Sequence, residues 1–174
     1  MFHECMKKEI GRNRPFLWLR VLKVLLMGGA SAKSVLLFRI SSSLKKNNHC
    51  LLSQFFNRKM EKNYGIYIKP DADIKPGLSL PHPVGIVIGQ GVKIEEDVVI
   101  YQHVTLGGAR RGDWKANNYP TIGAGTVIFA GAVIVGNLKI GKNCVIGANA
   151  VVTKDIPDNA TAVGVPARII SKGE

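Results

Sequence analysis

The sequence predicts a mainly β protein, a parallel β-helix of hexapeptide repeats preceded by a short α-helical extension. Three observations support this prediction: aliphatic residues recur at every sixth position, Gly or small residues accompany them, and residues 1–64 differ from the rest in charge and hydrophobic pattern. A helix repeats near every 3.6 residues and a strand every two, so neither produces a period of six. Such a period is typical of stacked triangular coils whose aliphatic residues fill one continuous core.

The extension, residues 1–64, is predicted to contain three helices, over 15–27, 32–46 and 51–64, where apolar residues recur at helical spacing. The first apolar run is too short and too charged to span a bilayer. The extension carries 13 Lys/Arg and 3 Asp/Glu. Two interpretations stay open: the helices cap the first coil and contact a neighbouring subunit, or a basic amphipathic helix rests on an anionic membrane surface.

Residues 65–157 form the predicted β-helix, with aliphatic residues in two series at six-residue spacing. The series are Ile68, Ile74, Leu80, Ile86, Val92, Val98 and Val104, and then Ile122, Ile128, Ile134, Ile140, Ile146 and Val152. Residues 107–120 interrupt the pattern, because Arg110 and Ala116 stand at the expected core positions. We expect this stretch to be a loop outside the prism, and long loops in compact folds are usually functional. Residues 158–174 are predicted to form a C-terminal tail.

Charge and cysteine content exclude several classes of function. The net charge is +12, but residues 65–174 contribute only +2 of it, so no uniformly basic groove for nucleic acid is predicted. Cys5, Cys50 and Cys144 are odd in number and match no metal spacing, which favours a reducing cytosol over a disulfide framework. Cys144 falls within a hexad and is expected to be buried. No signal peptide and no metal-binding cluster are predicted.

Four stretches resemble the serine acetyltransferase branch of the hexapeptide-repeat acyltransferases. They are residues 80–89 (LPHPVGIVIG), 102–108 (QHVTLGG), 122–125 (IGAG) and 162–169 (AVGVPARI). The resemblance covers roughly residues 65–170. It implies a left-handed β-helix, a homotrimer or a dimer of trimers with active sites between prisms, and acetyl transfer from acetyl-CoA to a hydroxyl without a metal.

The resemblance also implies a catalytic residue, because His82 matches the base of the family. The imidazole side chain, with an ordinary pKa of about 6.5, can take the proton of an attacking hydroxyl and return it to a departing thiolate. Two further candidates for the catalytic site are Tyr119, where the family has a second His, and His103, beside the core position Val104.

The cofactor candidates are small residues and cations. Small residues let backbone amides approach the pantetheine arm and the thioester oxygen, and cations meet the phosphates. The resemblance implies these roles for Gly108, Ala130, Gly131, Ala148, Arg168 and Lys172. Candidates for contact with the acceptor or the co-substrate in the loop and near the base are Tyr67, Pro81, Arg110, Arg111 and Trp114.

Several positions depart from the serine enzymes. Tyr67 replaces the Asp that is paired with the base, Pro81 an Asp that binds the amino acid, Tyr119 the second His, and Asn118 a basic residue. The helical front end is also shorter than in that family. These changes favour another acceptor, a capsular, exopolysaccharide or lipopolysaccharide sugar, acetylated in the cytoplasm with peripheral contact to the inner membrane face as an option. The alternatives are a serine O-acetyltransferase of cysteine biosynthesis and a catalytically silent β-helix scaffold.

Overall fold

The computed structural model describes residue 5 and residues 17–172, in which three helices precede a triangular prism of short strands. The helices are α1 (Leu17–Met27), α2 (Ala30–Lys46) and α3 (Cys50–Tyr64). Each matches a predicted helical segment, although positions 15 and 16 of the first prediction lie outside the described residues. None of the described helices is long and apolar enough to cross a bilayer.

The chain winds through three sheets in turn, so that successive strands of each sheet belong to successive coils. The first sheet contains β1 (Tyr67–Ile68), β3 (Val87–Ile88), β6 (Thr105–Gly107), β9 (Val133–Val135) and β12 (Val151–Val152). The second contains β2 (Asp73–Ile74), β4 (Lys93–Ile94), β7 (Thr121–Ile122) and β10 (Lys139–Ile140). The third contains β5 (Val99–Ile100), β8 (Val127–Ile128), β11 (Val145–Ile146), β13 (Ala160–Val163) and β14 (Arg168–Lys172), of which β14 is antiparallel to β13.

All thirteen aliphatic residues of the predicted series are buried, but they do not share one structural position. The residue opposite Ile68 is Ile88, two positions beyond the expected Ile86. The turn from Leu80 to Ile88 is two residues longer than the corresponding turn one coil later, and His82 lies in it. The buried aliphatic residues therefore form two layers, one at the corners and one in the strands, rather than the single series predicted from the sequence. One layer of corner residues, Ile86, Val92, Val98 and Val104, lies beside the strand residues Ile88, Ile94, Ile100 and Leu106.

Helices α2 and α3 pack against the first coil of the prism. Arg39, only 6% exposed, donates from Nη2 to the Lys75 carbonyl oxygen at 2.7 Å and from Nη1 to the Ile74 carbonyl oxygen. The second sheet ends at β2, so no further strand donates hydrogen bonds to these carbonyl groups, and the Arg39 guanidinium donates to them instead. Phe38 and Met60 belong to the same buried cluster as the prism core. Contact of the extension with a neighbouring subunit or a membrane stays a prediction.

The predicted loop leaves the prism between β6 and β7 and contains a short helix, α4 (Asp113–Ala116). The C-terminal boundary differs from the prediction at residue 158, because β13 still continues the third sheet before β14 turns back on it. Cys144 is fully buried as expected, with its Sγ 3.0 Å from the Pro157 carbonyl oxygen, and all three cysteines are free.

Two of the three edges of the prism carry the predicted site residues. We call the edge between the third and first sheets the His82 edge; it comprises residues 81–86, 101–104, 129–132, 147–150 and 164–167. We call the edge between the first and second sheets the loop edge, which carries residues 108–120.

Candidate active site

His82 stands exposed on the extended turn of the His82 edge. A following Pro restricts the residue before it to extended conformations, so Pro83 limits the backbone of His82. The Val84 amide donates to the His82 carbonyl oxygen at 2.8 Å, and the Gly85 amide donates to the Gly65 carbonyl oxygen at 3.1 Å. The turn therefore holds the imidazole outside the prism, while its own backbone is tied to the end of α3.

An aromatic pair lies next to the His82 imidazole. The ring centroids of His82 and Tyr101 are 6.0 Å apart at an interplanar angle of 48°. Tyr101 in turn stacks on Phe129, with centroids 5.1 Å apart and an angle of 13°. Within the described part of the chain, Tyr101 is the aromatic ring that pairs with the imidazole, and no hydrogen bond or ion pair of that imidazole is present.

His103 lies on the same edge one coil below, in a left-handed conformation with φ 59°. A Cβ on Gly85 would overlap the imidazole Nδ1 of His103, so the ring lies against the backbone of the turn that carries His82. Its amide donates to the Val84 carbonyl oxygen at 2.9 Å. The structure thus brings His103 beneath the His82 turn, where it supports the backbone of that turn.

The small residues predicted for the co-substrate follow His82 along the same edge. Ala130 and Gly131 lie in the turn after β8, and Ala148 lies in the turn after β11. Arg168 lies at the far end of this edge, exposed and paired in register with Val163. Lys172 belongs to β14, but its side chain lies outside the described residues. The base and these small residues therefore form one continuous edge of a single chain.

The loop edge holds a second group of predicted residues, which a single chain does not bring to His82. Asp113 organises this loop: its Oδ2 accepts from the Ala109 and Arg110 amides, both at 2.7 Å, and its Oδ1 accepts from Asn118 Nδ2 at 3.2 Å. Hydrogen bonds from the Arg110 backbone and the Asn118 side chain hold the pKa of the Asp113 carboxyl below its usual value. Gly108 is packed against Asp113, where a Cβ would overlap that side chain.

The remaining loop residues differ in exposure. Arg110 and Arg111 are exposed, and Trp114 is 59% exposed with the Lys115 ammonium 5.3 Å from its ring centroid. The Tyr119 ring instead packs against the backbone of Gly89 and Gly91, where Cβ atoms would overlap it. Tyr119 is therefore half-buried on its own prism.

Tyr67 and Pro81 lie on different elements of the prism. Tyr67 is 54% exposed on the outer face of the first sheet, and Pro81 directly precedes His82.

The sequence reasoning missed Tyr101, Phe129 and Asp113. A signal for the first two exists, because each directly follows the buried third-sheet residue of consecutive coils. No group of three or more metal-ligating side chains occurs among the described residues.

Comparisons with known proteins identify relatives over most of the chain. A family model described as bacterial transferase hexapeptide (six repeats) matches residues 119–154. A serine acetyltransferase of Helicobacter pylori strain J99 is 39% identical over 139 residues, which are 80% of each chain. One of Buchnera aphidicola is 43% identical over 135 residues, 78% of this chain but only 49% of the relative, so the match spans about half of that protein.

A solved structure extends the similarity to the helices. A serine acetyltransferase in complex with CoA superposes with a TM-score of 0.79 at 33% identity, covering 97% of this chain and 69% of that chain. The comparison confirms the predicted architecture, a left-handed parallel β-helix with a helical N-terminal part.

The glycan acceptor predicted from the sequence is wrong, because the relatives that match most of the chain are serine acetyltransferases. The prediction depended on Tyr67, Pro81 and Tyr119 as losses from an amino-acid pocket. Within one chain, Tyr119 lies on the loop edge, away from the edge that carries His82. These positions of one chain do not describe one pocket.

Proposed function

The chain belongs to the serine acetyltransferase family, and from this premise we propose that it transfers the acetyl group of acetyl-CoA to the hydroxyl of L-serine. The observation that carries the proposal is the exposed imidazole of His82 at the head of an edge lined by small residues. A general base must reach the proton of the attacking hydroxyl, and an exposed ring on a tied-down turn meets that requirement.

In the proposed reaction, the serine hydroxyl oxygen attacks the carbonyl carbon of the thioester while His82 removes the hydroxyl proton. The tetrahedral intermediate then collapses and the carbon–sulfur bond breaks. The imidazolium returns the proton to the departing CoA thiolate, which leaves as a free thiol. The sequence of steps consumes one acetyl-CoA and one serine and needs no metal.

Acetyl-CoA is a long molecule with its thioester at one end and its phosphates at the other. Four coil steps of about 4.8 Å each, roughly 19 Å in total, separate the His82 turn from Arg168 along the same edge. Between them, Ala130, Gly131 and Ala148 leave the backbone of the edge accessible. This order supports a co-substrate that lies along the edge, with its thioester at His82 and its phosphates at the basic tail.

The outer faces of the prism support a homotrimer. The outward residues of the first sheet are Tyr67, Val87, Thr105, Val133 and Val151, and those of the third are Ser79, Val99, Val127, Val145 and Thr161. The second sheet instead presents Asp73, Lys93, Thr121 and Lys139. Burial of the two Val-rich faces against other copies would place a neighbour beside the His82 edge, which lies between them.

The loop of that neighbour is the proposed source of the acceptor contacts. Asn118 donates one hydrogen bond to Asp113 within its own loop, and as a neutral side chain it offers no positive charge to a carboxylate. Arg110 and Arg111 are exposed, and a guanidinium binds a carboxylate through two parallel hydrogen bonds. We infer that one of them meets the serine carboxylate across the subunit boundary. Sedimentation velocity tests the assembly: a trimer or hexamer is expected, and a monomer would contradict it.

The activity is tested by free-thiol release from acetyl-CoA with L-serine, together with mass spectrometry of the acetylated product. We expect turnover by the wild-type protein and a decrease of kcat/KM of about 10²- to 10⁴-fold for His82→Ala. His49→Ala is the matched control, because His49 is exposed in the helical extension, before α3. Binding of acetyl-CoA without serine-dependent thiol release would point instead to the catalytically silent scaffold. The cytoplasmic location predicted from the cysteines belongs to the same proposal.

A further inference from the structure

Tyr101 is the described aromatic ring that pairs with the His82 imidazole. Their ring centroids are 6.0 Å apart, within the 4.5–7 Å range in which aromatic pairs attract each other. The contact crosses from one coil to the next, because His82 precedes β3 and Tyr101 directly follows β5. The turn that carries His82 is two residues longer than the corresponding turn one coil later, and its imidazole is exposed.

Phe129 fixes Tyr101 from the other side. The two rings are nearly parallel, at 13°, with centroids 5.1 Å apart. Each ring directly follows a strand, and the strands pair in register, Val99 with Val127 and Ile100 with Ile128. The backbone spacing of neighbouring strands, about 4.8 Å, is close to the stacking distance, so the sheet itself holds one ring over the other. Phe129 is still 39% exposed, so the stack forms part of the surface of the edge.

A general base works only in a fixed orientation, which in most enzymes a hydrogen-bonding partner supplies. Among the described residues, no carboxylate and no other group forms a hydrogen bond or ion pair with the His82 side chain. Asp71 and Asp73 follow Tyr67 toward the loop edge and the second sheet, rather than the His82 edge. Within one chain, the described group that lies against the imidazole is the Tyr101 ring, which offers a packing surface rather than a hydrogen bond.

We propose that Tyr101, supported by Phe129, is a positioning residue that limits rotation of the His82 imidazole and so takes the place of an orienting carboxylate. The proposal rests on the proposed function, in which His82 is the general base. The Tyr101 ring, rather than its hydroxyl, is the group that packs against the imidazole, because the contact is a tilted pair of rings at an interplanar angle of 48°. Tyr101→Phe should therefore behave like the wild type, whereas Tyr101→Leu should leave the imidazole free to rotate.

Two readouts separate this proposal from the activity itself. The first is steady-state kinetics with acetyl-CoA and L-serine: Tyr101→Leu should lower kcat about two- to tenfold with an unchanged KM for acetyl-CoA, and Tyr101→Phe should restore it. The second is the NMR signal of the His82 Cε1–H in the intact oligomer, assigned by its loss in His82→Ala. Removal of the neighbouring ring should shift this signal in Tyr101→Leu and not in Tyr101→Phe.

Phe129→Leu and Phe55→Leu complete the series. Phe129→Leu should shift the same signal less than Tyr101→Leu does, because it removes the support and leaves the contact. Phe55→Leu, on the exposed face of α3, is the matched control and should change neither readout. An unmoved His82 signal in Tyr101→Leu would overturn the proposal, and so would equal losses of kcat in the Phe and Leu variants. Absence of serine acetylation by the wild type would refute the proposed function, while the NMR readout would still decide whether the Tyr101 ring lies against the His82 imidazole in solution.

Discussion

Substitution by Asn at two histidines of the same edge should have different effects on catalysis: a large loss of kcat/KM at His82 and almost no change at His103. His82→Asn removes the proposed base and should lower kcat/KM by about 10²- to 10⁴-fold. His103→Asn should leave kcat/KM within about threefold of the wild type and should not destabilise the fold. Both residues lie on the His82 edge, so the pair separates a chemical role from a structural one.

A repeated feature of the corners explains the expected tolerance at His103. At four corners of the described prism, a residue with positive φ lays its polar side chain over a Gly one coil earlier that also has positive φ. The pairs are Asp97 over Gly77, His103 over Gly85, Asn143 over Gly125 and Asn149 over Gly131. Asn already occupies this position twice in the chain, and it is among the residues that tolerate the left-handed region. His103→Asn therefore reproduces an arrangement that the prism uses elsewhere.

A β-branched residue at position 103 should lower the stability of the fold, and the size of this loss can be estimated from the cost of the left-handed conformation. The left-handed conformation costs an ordinary L-residue about 1–2 kcal/mol, and a β-branched residue is a poorer fit still. For a chain of this length, 1 kcal/mol corresponds to a change in Tm of about 2–4 °C. We therefore expect His103→Val to lower the Tm by about 2–8 °C.

Thermal unfolding and thiol-release kinetics of the three variants check this reasoning. The structural interpretation of His103 requires that His103→Val loses stability and that His103→Asn retains both stability and activity. A decrease of 100-fold or more in kcat/KM for His103→Asn, at an unchanged Tm, would refute it and would make His103 a participant in the chemistry.

Three further predictions concern stability and the loop. Gly131→Val should lower the Tm, because Gly131 has φ +73° and a Cβ would overlap Asn149 Oδ1, while Gly107→Ala, with open space at its Cβ, is the control that should not. Leu106→Ala, at a fully buried position, should reduce the free energy of unfolding by about 2–5 kcal/mol in denaturant titration; a smaller loss would mean that the core collapses around the cavity. Asp113→Asn should speed tryptic cleavage in the loop at neutral pH. Because the pKa of Asp113 is lowered in the fold, the wild-type loop should lose this stabilisation only as the pH falls below about 4; cleavage equal to the wild type would contradict the role of the carboxylate.

The repeat pattern predicted the prism, because a buried aliphatic residue at each turn of a coil leaves a direct record in the sequence. Every predicted core position is buried. The displacement of Ile86 from the strand position of Ile68 could not be predicted from the sequence. The turn after Leu80 has two extra residues, but the buried corner residues that begin at Ile86 still follow at six-residue spacing. Only the pairing of strands shows that Ile88 is the true counterpart.

The site was only partly predictable, for a different physical reason. His82 was predicted as a site residue from its motif and remains a prediction, whereas its contact with Tyr101 depends on the geometry of the longer turn, which the local sequence does not encode. The acceptor was predicted wrongly because the replacements at Tyr67, Pro81 and Tyr119 were taken to exclude serine, whereas the relatives that match most of the chain are serine acetyltransferases. A site shared between copies spreads its residues over the sequence in a way that one chain does not reveal.

Strand pairing shows three departures from the six-residue spacing, and the two that add residues coincide with candidate functional residues, whereas the step from Val152 to Ile156 is two residues short and carries none. A regular hexad turns the corner with its side chains either buried or close to the backbone, so it has little room for a projecting group. The turn between Leu80 and Ile88 gains two residues and projects the His82 imidazole, and the insertion between Leu106 and Ile122 carries Arg110 and Arg111. Because the stacked core tolerates insertions only at its corners, chemistry can be added to this fold without loss of the core. In this chain the insertion after Leu106 is visible in the sequence as a break in spacing, whereas the longer turn that carries His82 becomes visible only through the pairing of Ile68 with Ile88.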